Sequence, residues 1–342
     1  MLTGACLSRA GLNRTTGLAT LTMVLAAEAP DADVLWYFRG SVAGLQHHRG
    51  ITHSIAGAAM MAVLVVGFVY GLYRIWPWLR RRVKTPVKWG PLFLYACIGG
   101  WVHLFQDFTN NYGVRPFAPF SEKWISWDIV FIIDPVMLIA LFLGLVMPAL
   151  FGLISDEVGA AKTKFRGRGG AIFALSMLML LILVRDFQHR RAVTALKSLT
   201  YNGEEPLRAS AFPKEIDLFA WNGVIETRDF LELLPVDSKA GDVDPHNLAV
   251  VRYKPEETPV TLAAKKSWLG RVYLDWAQYP FVETERLEGN RYKVNFRDLR
   301  FTSAEALRLR RQGPLTGYVI LDPQLRVEDQ GTGLPPQVRP SP

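Results

Sequence analysis

His47-His48-Arg49-Gly50-Ile51-Thr52-His53-Ser54 runs straight into an uncharged stretch that ends at Tyr73. Ser54 to Tyr73 is long enough to cross a bilayer once, because about 20 apolar residues span the hydrocarbon core. The octapeptide before it holds three of the chain's 6 histidines. Imidazoles at the mouth of a membrane span are costly unless they bind something. The juxtaposition sets two expectations: a helical membrane domain, and a cation held at its edge.

Working outward, apolar runs recur at Trp89–Gln106, Pro135–Ser155 and Gly169–Val184. Pro148 falls inside the second of these, which membrane helices tolerate. Thr15–Ala27 is short for a span and reads as a short or re-entrant helix. With Arg9 and Arg14 before it and Ala27-Glu28-Ala29 after it, the run also imitates a cleavable signal peptide. Asn110 to Trp127 carries Gly113, Pro116 and Pro119 and reads as a loop. Half of the 342 residues are hydrophobic and 20% are charged, with the apolar ones gathered in the first 190 positions. The fold class expected is a polytopic α-helical membrane domain (1–190), then a small α+β soluble domain (191–330) and a disordered tail (331–342).

The net charge of +8 does not point to nucleic acid. Arg74, Arg80, Arg81, Arg82, Lys84 and Lys88 fill one gap between apolar runs, and Lys162, Lys164, Arg166 and Arg168 fill another. Such clusters mark cytoplasmic loops. With both inside, Asp31, Asp33, His48, His53, His103, Asp107, Asp128 and Asp134 converge on the opposite, outer face of the membrane. Arg185, Arg190, Arg191 and Lys197 run against that orientation, but long translocated domains follow the charge rule poorly. Cys6 and Cys97 have no metal-site spacing and imply no disulfide. Beyond residue 190, Phe219–Leu234, Arg291–Phe301 and Gly317–Asp322 look strand-like, and Thr261–Gln278 helical, which suggests an antiparallel α+β domain.

His103 and Asp107, four apart, share a helix face. Imidazole with carboxylate suits zinc first, and also manganese or iron. The same pair would serve as a polar cap, and Asp31-x-Asp33 after Pro30 also fits turn chemistry. The expected metal ligands are Asp31, His48, His53, His103 and Asp107, with Asp33 as an alternative to Asp31; His47 is not needed. Asp33 or Asp134 would act as general base, and Arg49 or Arg115 would meet an anionic group of the substrate. Asp134, between apolar runs, needs a partner or an ion. Asp128 also suits a helix cap.

Three motifs carry a family resemblance: Pro-Asp-Ala-Asp-Val at 30–34, His-His-Arg-Gly-Ile-Thr-His-Ser at 47–54, and Gly-Gly-Trp-Val-His-Leu-Phe-Gln-Asp-Phe-Thr-Asn-Asn-Tyr-Gly-Val-Arg-Pro-Phe-Ala-Pro-Phe-Ser at 99–121. In order and spacing they resemble the YdjM-like family, bacterial inner-membrane proteins described as metal-dependent hydrolases, some of them LexA-regulated. Asp128 and Asp134-Pro135 fit as well, and the motifs cover residues 1 to about 140. The resemblance implies a metal-dependent hydrolase. Family members tend to carry Thr-His just before the equivalent of Leu2-Thr3-Gly4, so a start a few codons upstream, adding a histidine ligand, is a further expectation.

The function expected is hydrolysis of an ester or phosphoester, with a membrane lipid or amphipathic small molecule as substrate. A His/Asp transporter or proton relay, or a non-catalytic anchor with a structural metal, are the alternatives.

Overall fold

The computed structural model describes residues 1–157, 167–243, 248–309, 313 and 315–333. The helices, in chain order, are α1 (Leu2–Ala10), α2 (Ala19–Ala26), α3 (Ser41–His47), α4 (Ile55–Ile75), α5 (Pro77–Arg82), α6 (Trp89–Thr109), α7 (Pro135–Glu157), α8 (Arg168–Lys197), α9 (Pro259–Lys266), α10 (Trp268–Trp276) and α11 (Ala304–Arg308). The chain divides into two units, Met1–Asp33 with Arg49–Asp186, and Val34–His48 with Phe187–Pro342. The segment 34–48, assigned by sequence to the membrane domain, belongs to the second unit.

In the first unit, small residues let helices approach closely. A Cβ on Gly4 would stand 2.5 Å from the Met23 carbonyl oxygen, so only glycine seats α1 on α2. A Cβ on Gly144 would lie 2.4 Å from Ala174 Cβ, which joins α7 to α8 in the same way. α4 buries Ala58, Ala62, Val65 and Val69 and exposes Val63, Leu64 and Phe68. Small inside and large outside is how helices pack when lipid, not water, surrounds them.

Among the described residues, α4 and α8 are the two helices long and apolar enough to cross a membrane. The polytopic expectation included α6 and α7 as well. α6 matches α4 in length at 21 residues, but His103, Gln106 and Asp107 dilute its apolarity. In α7 the apolar run found among the described residues is Pro135–Pro148, within a sequence that stays uncharged to Ser155. The short run at 15–27 forms the 8-residue α2, whose Met23 and Ala26 are buried against neighbouring helices. Of the second basic cluster, 162–166 lies outside the described residues.

The second unit holds two antiparallel sheets, where the sequence suggested an antiparallel sheet without resolving a second. The first is β1 (Arg208–Pro213), β2 (Ala220–Glu226), β3 (Phe230–Asp237) and β4 (Asp242–Val243) in that order, with β5 (Val250–Tyr253) also paired to β3. The second is the meander β6 (Pro280–Arg286), β7 (Tyr292–Asp298), β8 (Gly317–Leu321), β9 (Val327–Thr332). Period-2 alternation explains the two-sided core. Trp221, Ile225 and Leu234 pack on Ala192 and Leu196, and Val224, Leu231 and Leu233 pack on Tyr279, Phe281 and Leu299. α3 is fixed here by two hydrogen bonds: Thr332 N–H donates to Ser41 Oγ (3.0 Å) and Trp268 Nε1 to Gln46 Oε1 (2.9 Å). Of the expected tail, Gly331 and Thr332 close β9, and 334–342 lies outside the described residues.

Candidate metal centre

Three segments of the first unit meet at one point. A 3-10 stretch, Ala29–Arg39, carries Asp31 and Asp33 in its first-unit part; a 3-10 turn, Ile51–His53, leads into α4; and the last two turns of α6 carry His103 and Asp107. Ser54 caps α4, its Oγ accepting from Gly57 N–H at 2.9 Å, which fixes where α4 begins and so where His53 stands.

His53 Nε2 lies 3.2 Å from His103 Nε2, 3.3 Å from Asp31 Oδ1 and 3.3 Å from Asp107 Oδ2. His103 Nε2 lies 3.5 Å from Asp31 Oδ1 and 3.4 Å from Asp107 Oδ2. All four donor atoms fall within 4.8 Å of one another. A tetrahedron with metal–ligand bonds of about 2.0–2.1 Å has edges of about 3.3–3.4 Å, so the measured separations have the size a single cation requires. Among the described residues, Asp107 Oδ2 is buried and accepts no hydrogen bond. A buried carboxylate oxygen left so is costly, and a cation would satisfy it. The residues fit a metal ion.

The surrounding contacts orient this set. His53 Nδ1 faces Asp33 Oδ2 at 3.2 Å, on the ring edge away from the cluster. Asp33 Oδ2 also accepts from Arg49 N–H (2.7 Å) and Thr52 Oγ1 (3.4 Å). Holding the far nitrogen of a ligating imidazole with a carboxylate fixes its tautomer and its direction. Arg49 is buried; its guanidinium reaches Asp107 Oδ1 (3.0 Å), Asn110 Oδ1 (2.9 Å) and the Gly113 carbonyl (3.1 Å), and it covers the Tyr112 ring. Burial would push the His53 imidazole down, but the carboxylates of Asp107, Asp31 and Asp33 around it outweigh it and raise it to about 10. Burial would raise the Asp31 carboxyl, but hydrogen bonds from His103 and His53 hold it well below the ordinary carboxylate range.

Of the sequence-predicted residues, Asp31, His53, His103 and Asp107 come together. His48 stands outside that group and in the second unit, and the backbone turns between it and His53 through Arg49, at φ 53°. His47 stacks on Trp36, centroids 4.0 Å apart. Asp134 is bound to Arg185 at 2.7 Å, and its Oδ1 accepts from Met137 N–H at 3.0 Å, so it caps α7 away from the cluster. Asp128 sits in the left-handed region, φ 59°, also outside the group. Arg115 pairs with Glu122 at 2.6 Å. The sequence marks Asn110 only as a loop breaker. In the structure it accepts from Arg49 and from Tyr112 N–H, and donates to Asp107 Oδ1 at 3.4 Å. Its spacing, three residues after Asp107 at a helix end, was the available signal.

With this geometry in hand, the model of the YdjM inner membrane protein family matches residues 1–192. The chain belongs to that family. The matched YdjM region contains every residue of the cluster and its braces. A relative outside that match alone is the uncharacterized protein YfhP of Bacillus subtilis (strain 168), 24% identical over 290 residues, covering 84% of this chain and 77% of the relative. No solved structure matches. Membership in the YdjM family, together with α4 and α8, makes this a membrane protein.

Proposed function

We propose that the chain is a metal-dependent hydrolase, threaded several times through the inner membrane, with the Asp31–His53–His103–Asp107 cluster at the periplasmic face. The observation that carries the reading is the set of near-equal donor separations around the buried, unbonded Asp107 Oδ2. A divalent cation there, zinc first by donor chemistry with manganese or iron next, would lower the pKa of a water toward neutrality and polarise the scissile bond. The chain's own groups prepare for this. Asp33 is a positioning residue that turns His53 Nε2 toward the cluster. Arg49 holds Asp107 Oδ1 and so aims Oδ2. Asp31, whose side chain is 49% exposed, opens the cluster to solvent and takes the proton of the attacking water. Asp33 and Asp134 are engaged elsewhere, which favours Asp31 for that step. In the balanced reaction the water oxygen bonds to the carbonyl carbon or phosphorus. The ester bond breaks, and the proton passes from Asp31 to the departing alkoxide.

One observation favours a second reading: four protein donors at tetrahedral spacing are the pattern of a structural metal. The discriminating measurement is metal content and turnover of an ester and a phosphodiester by metal-reloaded full-length protein. Wild type would be compared with His53→Ala, His103→Ala and Asp31→Asn. A catalytic centre turns over at least one substrate in wild type and loses metal and turnover together in both histidine variants and in Asp31→Asn, since each removes or weakens one of the four donors. Bound metal without turnover of either substrate by wild type leaves the structural reading.

A further inference from the structure

A cavity of about 340 Å³ opens beside the cluster, between the end of α6, the loop at 130–134, and α7 and α8. Its polar lining comes from Gln106, Asp107, Thr109 and Asn110 at the end of α6 and from Asp134, and its apolar walls include Met137 and Leu141 from α7 and Leu178 and Ile182 from α8. Asp107 therefore belongs both to the metal cluster and to the cavity wall. Met137, Leu141, Leu178 and Ile182 are nearly fully buried, whereas Ile133 and Leu138, also in its lining, are exposed, so the space is a cleft that runs from the surface of the first unit in between its helices. Ligand pockets of roughly 300–1,000 Å³ with apolar walls and a few convergent polar groups are binding sites by their shape.

We infer that this cavity receives the aliphatic chain of the substrate, which makes the substrate class an ester of a long-chain lipid. The inference rests on the hydrolase reading above and adds to it what the cluster alone does not supply, a recognition element. Two arrangements of charge support an apolar handle. Arg49 is closed onto Asp107, and Arg115 onto Glu122, so both guanidiniums the sequence offers for headgroup recognition already carry a carboxylate. Three carboxylates, Asp31, Asp33 and Asp107, would together balance a divalent cation and the Arg49 guanidinium and leave the set without surplus positive charge to select an anion. Chain burial is then the main source of affinity. The bond broken is the ester next to the chain: water adds its oxygen, the ester C–O or P–O bond cleaves, and the products are an acid and an alcohol.

The test uses the full chain, metal-loaded, in detergent micelles. One substrate series is p-nitrophenyl acyl esters from acetyl to palmitoyl, and a second is alkyl p-nitrophenyl phosphodiesters of matching lengths. In at least one series kcat/KM rises about fourfold per methylene until the cavity is full, then levels off. The series that shows the rise identifies a carboxylic or a phosphoric ester. Leu178→Phe shortens the preferred chain and Leu178→Ala lengthens it by about three methylenes, a pair of opposite shifts that a folding defect cannot imitate. Separately, a long-chain fatty acid bearing a diazirine is photo-crosslinked to the protein. It labels Met137, Leu141 or Leu178, and excess palmitate but not excess butyrate removes the label. Metal-dependent turnover that is indifferent to chain length, with no shift in either variant, overturns the cavity assignment and leaves the hydrolase standing. Chain-selective labelling without turnover of any substrate does the reverse: the cavity binds chains and the hydrolase reading falls.

Discussion

Asp107 and Asp134 make a natural pair for comparison. Each is an aspartate of the first unit at the end of an apolar helix, Asp107 partly and Asp134 fully buried, and each faces a buried arginine, Arg49 at 3.0 Å and Arg185 at 2.7 Å. The two sites differ in how completely the carboxylate is satisfied. At Asp134, Oδ2 receives Arg185 and Oδ1 receives Met137 N–H, so both oxygens are used and the group ends as a helix cap with an ion pair. At Asp107, Oδ1 takes Arg49 and Asn110, whereas Oδ2 is left without a donor and turned toward two imidazole nitrogens. A satisfied carboxylate stabilises; an unsatisfied one, faced by two imidazole nitrogens, is poised to share a cation with them. The difference between scaffold and site is one oxygen atom.

The comparison breaks most directly at His53. His53→Ala should abolish metal retention by purified protein, measured by elemental analysis, with a loss larger than the 10–100-fold that an outer-shell partner costs. Asp134→Ala should do the opposite. It destabilises the fold by about 3–5 kcal/mol in denaturant titration because Arg185 loses its carboxylate, while the folded fraction keeps its metal. The double change Asp134→Leu with Arg185→Leu should recover most of that stability, since an apolar pair avoids the buried charge.

A finer test is Asp33→Asn, expected to weaken metal affinity about 10–100-fold without emptying the site, because it loosens the far side of His53. The pH response follows from His53, whose folded pKa of about 10 stands above its ordinary 6.5. A cation must displace the protons of its histidine ligands, so affinity measured by metal titration should rise with pH until about pH 10 and flatten above it. In metal-free protein the sign for stability is reversed. The raised pKa contributes fully below pH 6.5 and is lost as pH climbs through about 10. Ser54→Ala, removing the α4 cap, should cost about 1 kcal/mol and leave metal stoichiometry unchanged.

Much of the site was legible because its spacing is local. His103 and Asp107 lie four apart on α6, and the apolar run after Ser54 fixes α4 and with it the position of His53. His48 shows where local reading fails. Its neighbours in sequence are site residues, but Arg49 reverses the backbone at φ 53°, and the segment 34–48 packs with α10 and β9 through Gln46 and Ser41. Nothing in residue type or period encodes that departure. Asn110 was hidden for a similar reason, since an amide beside a helix end looks the same whether it caps a turn or braces an arginine.

By itself the sequence determined that the first half is apolar and helical, that the second is stranded, and that histidines and aspartates crowd near the start of α4 and the end of α6. Hydrophobic period and run length are properties of neighbouring residues, so they survive in one dimension. Only the tertiary structure decided which carboxylates are satisfied and which are not. Asp33 and Asp107 are separated by a whole pair of helices, and the hydrogen bonds that direct one to His53 Nδ1 and leave the other's Oδ2 open depend on distances of a few tenths of an ångström.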